Sequence, residues 1–404
     1  MPAMAGQPRL FDDRERDSRS PAKRAESQFA FLNRTGRPYF APVRDLLEAW
    51  FAHWPAEAQV GLRQRFRQDD RGQHMGAFWE LYLNETHRRL GFDIEYEPSV
   101  PGTARRPDFL VRRAQERYYI EGTLVLYPDS EMAAKRRKDL LLDLVDEAFD
   151  QDFYLRVTVA APGPRTPPRA ELVDSIEKWL GPMNWAAARR AVDNGVWVAP
   201  TETFRVGGSV VVLEAHPKPP GARGNRDART IWADPAHGGV FDERAHIYKD
   251  LKDKAKAYGR PDAPYVIAAL CLRDFASTHD VEAALYGQEV VRIPIGPDGG
   301  AVGESYVTRD FKGLWQRGQT PIYKRVSAVL SGIHIAPWSV AQNPLTLWVN
   351  PWADRPLGAE DLPWKTIMGD LDANRLITSE ATGSPQEILG LPLDWPHPGS
   401  PFDD

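Results

Sequence analysis

RPDFLV at Arg106–Val111, RRAQER at Arg112–Arg117 and YYIEGTLVLY at Tyr118–Tyr127 run consecutively, two apolar segments separated by a polar one. That alternation predicts a β-hairpin, because strands are runs rich in β-branched and aromatic residues bounded by polar turns. If the hairpin closes symmetrically around Ala114 and Gln115, facing residue numbers sum to a constant, and Asp108 lies opposite Glu121. Facing Cβ atoms in such a pair sit roughly 4.5 to 5.5 Å apart. Two carboxylates that close repel, so the fold needs a compensating cation, proton or basic neighbour. A hard divalent metal with oxygen ligands is the natural compensator. Thr123 shares the face of Glu121, and Gly122 between them leaves its carbonyl accessible.

Upstream, HMGAFWELYLNETHRRLGF (His74–Phe92) places Phe78, Leu81, Tyr82 and Leu90 at helical spacing, with Gly91 where a helix stops. DIEYEP (Asp93–Pro98) then alternates like a strand. Glu80 on this helix is the first choice for a third carboxylate and Glu85 the substitute; the competing reading is a solvated helix residue paired with an arginine. Downstream, a helix is expected over 131–149 and a strand at FYLRVTVA (Phe153–Ala160). The order helix, three strands, helix, strand is a compact α/β unit.

RPDFLV and YYIEGT, after a helix containing FWELYL and ending in LGF, resemble the PD-(D/E)XK nuclease superfamily over about Ala77–Ala160. The resemblance implies an α/β, restriction-endonuclease-like core: a mixed central sheet flanked by helices. It also implies that Asp108 and Glu121 bind Mg²⁺ (or Mn²⁺), that Gly122 offers its carbonyl, and that Glu80 adds a ligand. The superfamily pattern asks for a lysine at position 123, where this chain has Thr123, and a hydroxyl cannot supply positive charge. Some members move that lysine to a nearby helix. On the helix around Ile247–Tyr258, Leu251, Ala255 and Tyr258 define the apolar face, Lys254 falls at its edge and Lys256 points away. A lysine in an apolar arc is costly unless its head reaches a carboxylate, which makes Lys254 the replacement candidate, ahead of Lys135 and Lys138. The competing reading is a lysine snorkelling from the helix rim.

Arg105, Arg106, Lys135, Arg136 and Lys138 flank the acidic pair in sequence, either as phosphate contacts or as a solvated charged face. Glu214, in VVVLEAHPK, reads as structural or as an alternative acidic ligand. Trp315, Trp338, Trp348 and Trp352 suit core packing better than base stacking. The histidines show no zinc spacing, and the single Cys271, inside PYVIAALC, reads as a buried thiol.

With 404 residues and about 150 per domain as a prior, two or three units are expected. The divisions expected are a mobile leader (1–26), a helical cap (27–74), a nuclease-like core with insertions (75–290) and a β-rich C-terminal region with an acidic tail (291–404). The helix and strand around 242–271 look like another layer of the core sheet. A formal charge of −5 gives no global electrostatic case for nucleic acid, so any basic surface is local. No apolar run approaches the roughly 18 residues of a membrane span and the N-terminus is charged, so a cytoplasmic protein is expected. The function expected is metal-dependent phosphodiester hydrolysis acting on DNA, suited to defence against foreign DNA. The rival is a catalytically inactive binding module for nucleic acid or protein in a larger assembly, with Thr123 its main support; a second copy of the chain is a further partner to be considered.

Overall fold

The computed structural model describes residues 8–225, 229–233, 242–297, 299–310, 312–370 and 375–396. The chain forms two compact units. One draws on Met1–Asp13, Pro38–Leu126 and Phe241–Asp403; the other on Arg14–Arg37 and Tyr127–Val240.

The first unit is mixed α/β, built on an eight-stranded mixed sheet whose strands lie side by side in chain order. They are Asp93–Tyr96, Phe109–Arg113, Glu116–Val125, Tyr265–Cys271, Ala328–Ile333, Thr346–Val349, Lys365–Asp370 and Arg375–Ser379. The first three are antiparallel, and Glu116–Val125, Tyr265–Cys271 and Ala328–Ile333 are mutually parallel. Tyr265–Cys271 is buried at all seven positions, as a parallel strand covered on both faces must be.

Alternate residues of these strands meet helices on opposite faces. Ile267, Ala269 and Cys271 pack with Ile247, Leu251 and Ala255 of helix Glu243–Ala255 and with Val281, Ala284 and Leu285 of helix Thr278–Tyr286. On the other face, helix Arg71–Arg89 lays Trp79 across the sheet. A Cβ at Gly122 would stand 3.4 Å from the indole and one at Gly332 3.2 Å. These glycines make room for the ring, which donates from Nε1 to the Ala268 carbonyl at 2.9 Å. Asp70 caps this helix by accepting from Gln73 N, and Arg88 and Arg89 lie in its last turn, where cations suit the helix dipole. Gly91 follows at φ 82°, as its position in the sequence predicts.

The second unit holds a four-stranded sheet in the order Thr201–Val206, Ser209–Pro217, Phe153–Ala161, Ile231–Ala233. Its own core includes Leu141, Val145, Leu155, Val157, Ile176 and Leu213.

Three sequence expectations are corrected. Phe153–Ala161 does not join the sheet of the hairpin; it pairs with Ser209–Pro217, and Tyr265–Cys271 takes the place beside Glu116–Val125. The two strands differ in a physical way: Phe153–Ala161 alternates between buried and more exposed positions, which suits an antiparallel strand with one face less covered. The expected boundary at 291 also gives way, because the C-terminal strands complete the first sheet, while residues 127–240, inside the expected core with insertions, have a core of their own. The expected leader is not free chain over its described part: Leu10 and Phe11 are buried, and their amides donate to the Glu48 carboxylate at 3.0 and 2.9 Å. Residues 1–7 of that leader, and residues 397–404 of the acidic tail, lie outside the described residues.

Among the described residues no helix is long and apolar enough to cross a membrane. Trp315 and Trp348 are fully enclosed in the core, as is Cys271, whose thiol burial pushes up to about 12.

Candidate functional site

The hairpin closes around Ala114 and Gln115, with Phe109 facing Ile120 and Arg113 facing Glu116. Ala114 takes φ 50° to make the turn. Continued by one residue, that register sets Asp108 opposite Glu121. Asp108 sits just before its strand and is held from both neighbours. Its Oδ2 accepts from Gly122 N at 2.6 Å, and its carbonyl accepts from Glu97 N at 3.0 Å. A Cβ on Gly122 would come within 3.1 Å of Asp108 Oδ2, so glycine keeps that approach open.

Glu121 is buried. Lys254 Nζ, 133 positions away in sequence, donates to Oε1 at 2.5 Å, and Tyr258 Oη donates to Oε2 at 2.5 Å. The helical spacing explains the pairing. Ile247, Leu251 and Ala255 form the buried stripe, Lys254 stands beside it, and Tyr258, one turn on from Lys254, is buried at its end. Tyr258 Oη also lies 3.0 Å from the Arg106 carbonyl, tying the helix end to the chain just before Asp108. Burial, then the hydrogen bond to Glu121, hold the Tyr258 phenol protonated far above the usual range.

Electrostatics single out Asp108. Burial first, then the Glu121 and Glu80 charges, push its carboxyl up to about 8; the Gly122 amide and Lys254 oppose that shift. The proximity of the Glu121 carboxylate, expected from register alone, is thus part of what holds the Asp108 carboxyl above the usual carboxylate range.

Glu80 is near this pair, but its carboxylate is engaged by Arg65 in a bidentate pair, with Oε2 to Nη2 at 2.6 Å. For Glu80 the arginine-paired alternative is observed, with the partner supplied by helix Gln59–Phe66. Glu85 is no substitute. It is fully enclosed and paired with His53, Arg88 and Arg89 at 3.0, 2.8 and 2.6 Å. Among the described residues no three His, Cys, Asp or Glu side chains gather as a metal-holding group.

A cleft of about 610 Å³ opens beside Asp108, lined also by Arg65, Glu80, Glu97 and Arg106. Arg106 is exposed and reaches the Glu97 carbonyl at 3.2 Å, while Arg105 reaches the Ala257 carbonyl at 3.3 Å. Lys135, Arg136 and Lys138 lie on helix Asp129–Glu147 of the second unit, so the constellation in the first unit is assembled without them. Lys135 pairs with Asp139 at 3.5 Å. Glu214, also in the second unit, pairs with Arg156 at 3.3 Å.

Asp108 and Glu121 are the residues that would hold a hard divalent cation, through carboxylate lone pairs that the hydrogen bonds to Asp108 Oδ2 and to both Glu121 oxygens leave unused. The charge of Glu80 is already matched by Arg65. Sequence reasoning missed Arg65, Glu97 and Tyr258. Of these only Tyr258 left a trace, as part of the apolar helix face.

No family model, curated protein or solved structure matches the chain.

Proposed function

We propose that the chain is a metal-dependent nuclease of the PD-(D/E)XK kind, hydrolysing phosphodiester bonds with DNA as substrate. The observation that carries the reading is the contact of Lys254 Nζ with Glu121 Oε1 at 2.5 Å, in the register that sets Asp108 opposite Glu121. It supplies from a helix the cation that Thr123 cannot supply from the strand. The order helix Arg71–Arg89, three antiparallel strands, helix Glu243–Ala255 and parallel strand Tyr265–Cys271 supports a restriction-endonuclease-like core, with 127–240 as an insertion.

Asp108 and Glu121, with the Gly122 carbonyl, would hold Mg²⁺ or Mn²⁺, whose chemistry is to lower the pKa of a water and offset phosphate charge. Lys254 orients the attacking water or neutralises charge developing on the phosphoryl oxygens. Tyr258 pins Glu121, and Arg65 and Arg106 on the cleft wall meet phosphates of the bound strand. Burial and the neighbouring carboxylates hold the Asp108 carboxyl above the usual range, so a cation binding there displaces a proton and binds more tightly as pH rises.

A second reading, a binding module without cleavage, is favoured by one feature: both Glu121 oxygens and both Glu80 oxygens already have protein donors. Incubating the purified chain with plasmid, linear and single-stranded DNA, with Mg²⁺, Mn²⁺ or chelator, separates the two. Metal-dependent cleavage abolished by Asp108→Ala and by Glu121→Ala is the expected result. Binding with no cleavage under any condition selects the second reading, and cleavage undiminished in either variant overturns the site.

A further inference from the structure

A second cleft, of about 470 Å³, opens where the first turns of helix Glu243–Ala255 face the segment 312–322. Its lining among the described residues brings together three cations, Arg244, Lys312 and Arg317, with Tyr248 and Gln316 and no carboxylate; the nearby anions are Asp242, 3.9 Å from Arg244 Nε, and Asp310, whose Oδ1 accepts from Lys312 N at 3.1 Å. Lys252, outside that lining, holds its Nζ 5.5 Å from the centroid of the Tyr248 ring. Three cations in the lining outnumber the two anions beside it, and that excess of positive charge suits a ligand of negative charge.

The pairing of these side chains points the same way. Arg244 Nε stands 3.9 Å from Asp242 Oδ1, beyond hydrogen-bond reach, and that nitrogen is buried with no hydrogen-bond partner among the described residues. A buried donor without an acceptor costs free energy until one arrives. Neither Lys312 nor Arg317 forms an ion pair among the described residues.

The wall carrying Lys312 and Arg317 is fixed by backbone contacts. A Cβ at Gly313 would lie 2.2 Å from the Leu285 carbonyl oxygen and 2.6 Å from Gly287 N, so only glycine passes there. Leu314 N then donates to the Ala284 carbonyl at 2.8 Å, and Ile322 N donates to the Trp315 carbonyl at 2.8 Å. Between them Arg317 faces Thr320 across a tight hairpin. The cations therefore project from preorganised backbone, which lowers the entropy lost when an anion is bound.

We propose that this cleft binds a phosphate-bearing ligand. Arg244, Lys312 and Arg317 take the phosphate, the guanidinium groups matching its oxygens with paired N–H donors. Tyr248 offers an aromatic face to an attached base. Phosphate joined to a base is the chemistry shared by a free nucleotide and a nucleic-acid strand. Binding here does not depend on phosphodiester cleavage at Asp108.

The test titrates the full chain, in chelator, with ATP by calorimetry and with a short labelled single-stranded oligonucleotide by anisotropy. At least one of the two binds, and the Arg244→Gln/Arg317→Gln variant weakens that binding by about tenfold or more. For the oligonucleotide, each cation removed lowers the salt slope by about one. Lys312→Gln, an exposed substitution, weakens binding in the same direction and covers the case in which the double variant does not fold. Chelator removes the cation on which the Asp108 site depends, so loss of cleavage and loss of this site are read separately. Binding of ATP alone supports a free nucleotide as the ligand, and binding of the oligonucleotide alone supports a strand. The proposal is overturned if wild type binds neither, or if folded variants bind within twofold of wild type.

Discussion

At the scale of single residues, the protonation of Asp108 makes stability depend on pH. A carboxyl with an ordinary value near about 3.9 when unfolded gives up its proton above pH 4, whereas in the folded chain it is pushed up to about 8. Between those values the folded state holds the extra proton, so stability falls as pH rises through the window and levels off above it. Asp108→Asn removes this dependence. In chelator its melting temperature should exceed that of wild type at pH 8 by at least about 2 to 4 °C, the shift expected of about 1 kcal/mol, and converge with it near pH 4. An equal difference at both pH values would show that the carboxyl is not perturbed. Tyr258→Phe takes a donor from buried Glu121, and hydrogen bonds to charged groups are worth about 1.5 to 3 kcal/mol, so denaturant midpoints should fall accordingly. The Asp108–Glu121 register was legible because a hairpin is local: turn position and alternation fix it within twenty residues. Lys254 was legible for a different reason, as a cation on the margin of an apolar stripe. The Arg65 pair with Glu80 was not, because an amphipathic pattern does not record which distant carboxylate its polar edge meets.

At the scale of elements, that Arg65–Glu80 pair fastens helix Gln59–Phe66 to helix Arg71–Arg89 beside the cleft. Arg65→Gln leaves Glu80 as an uncompensated third carboxylate near Asp108. The variant should lose about 1 to 3 kcal/mol of stability in chelator. Added Mg²⁺ should then raise its melting temperature more than that of wild type, because a released carboxylate is a released ligand. No gain from Mg²⁺ in the variant would exclude Glu80 as a latent ligand. Glu85 does related work at the other end of the same helix. Burial alone would push its carboxyl up, but the hydrogen bonds from Arg88, Arg89 and His53 outweigh it and hold it below the usual carboxylate range. Its contribution is thus present above the ordinary carboxylate value and lost as pH falls through the depressed one. Glu85→Gln should narrow the stability difference from wild type as pH drops below about 4. The existence of these helices and strands was legible from periodicity. Which strand follows the hairpin was not: Phe153–Ala161 and Tyr265–Cys271 are both apolar runs after a helix, and only burial on both faces marks the second as central.

At the scale of the whole molecule, every residue of the candidate site belongs to the unit that resumes after the 127–240 excursion, while the intervening residues carry a core of their own. A substitution confined to that second core should therefore separate stability from chemistry. Leu155 is fully buried among Leu141, Val145, Val157 and Leu213. Leu155→Ala removes its side chain and leaves a cavity, a change that costs about 2 to 5 kcal/mol in well-packed cores. Chemical denaturation should register that loss, since Asp108, Glu121, Lys254 and Tyr258 cannot compensate for a void they do not line. On the proposed nuclease reading, single-turnover cleavage, measured well below the midpoint so that the chain is folded, should keep the wild-type rate, because the Glu121–Lys254 contact is assembled from strand Glu116–Val125 and helix Glu243–Ala255 alone. A rate that falls while the circular dichroism spectrum stays wild type would mean that the second unit supplies part of the reacting site.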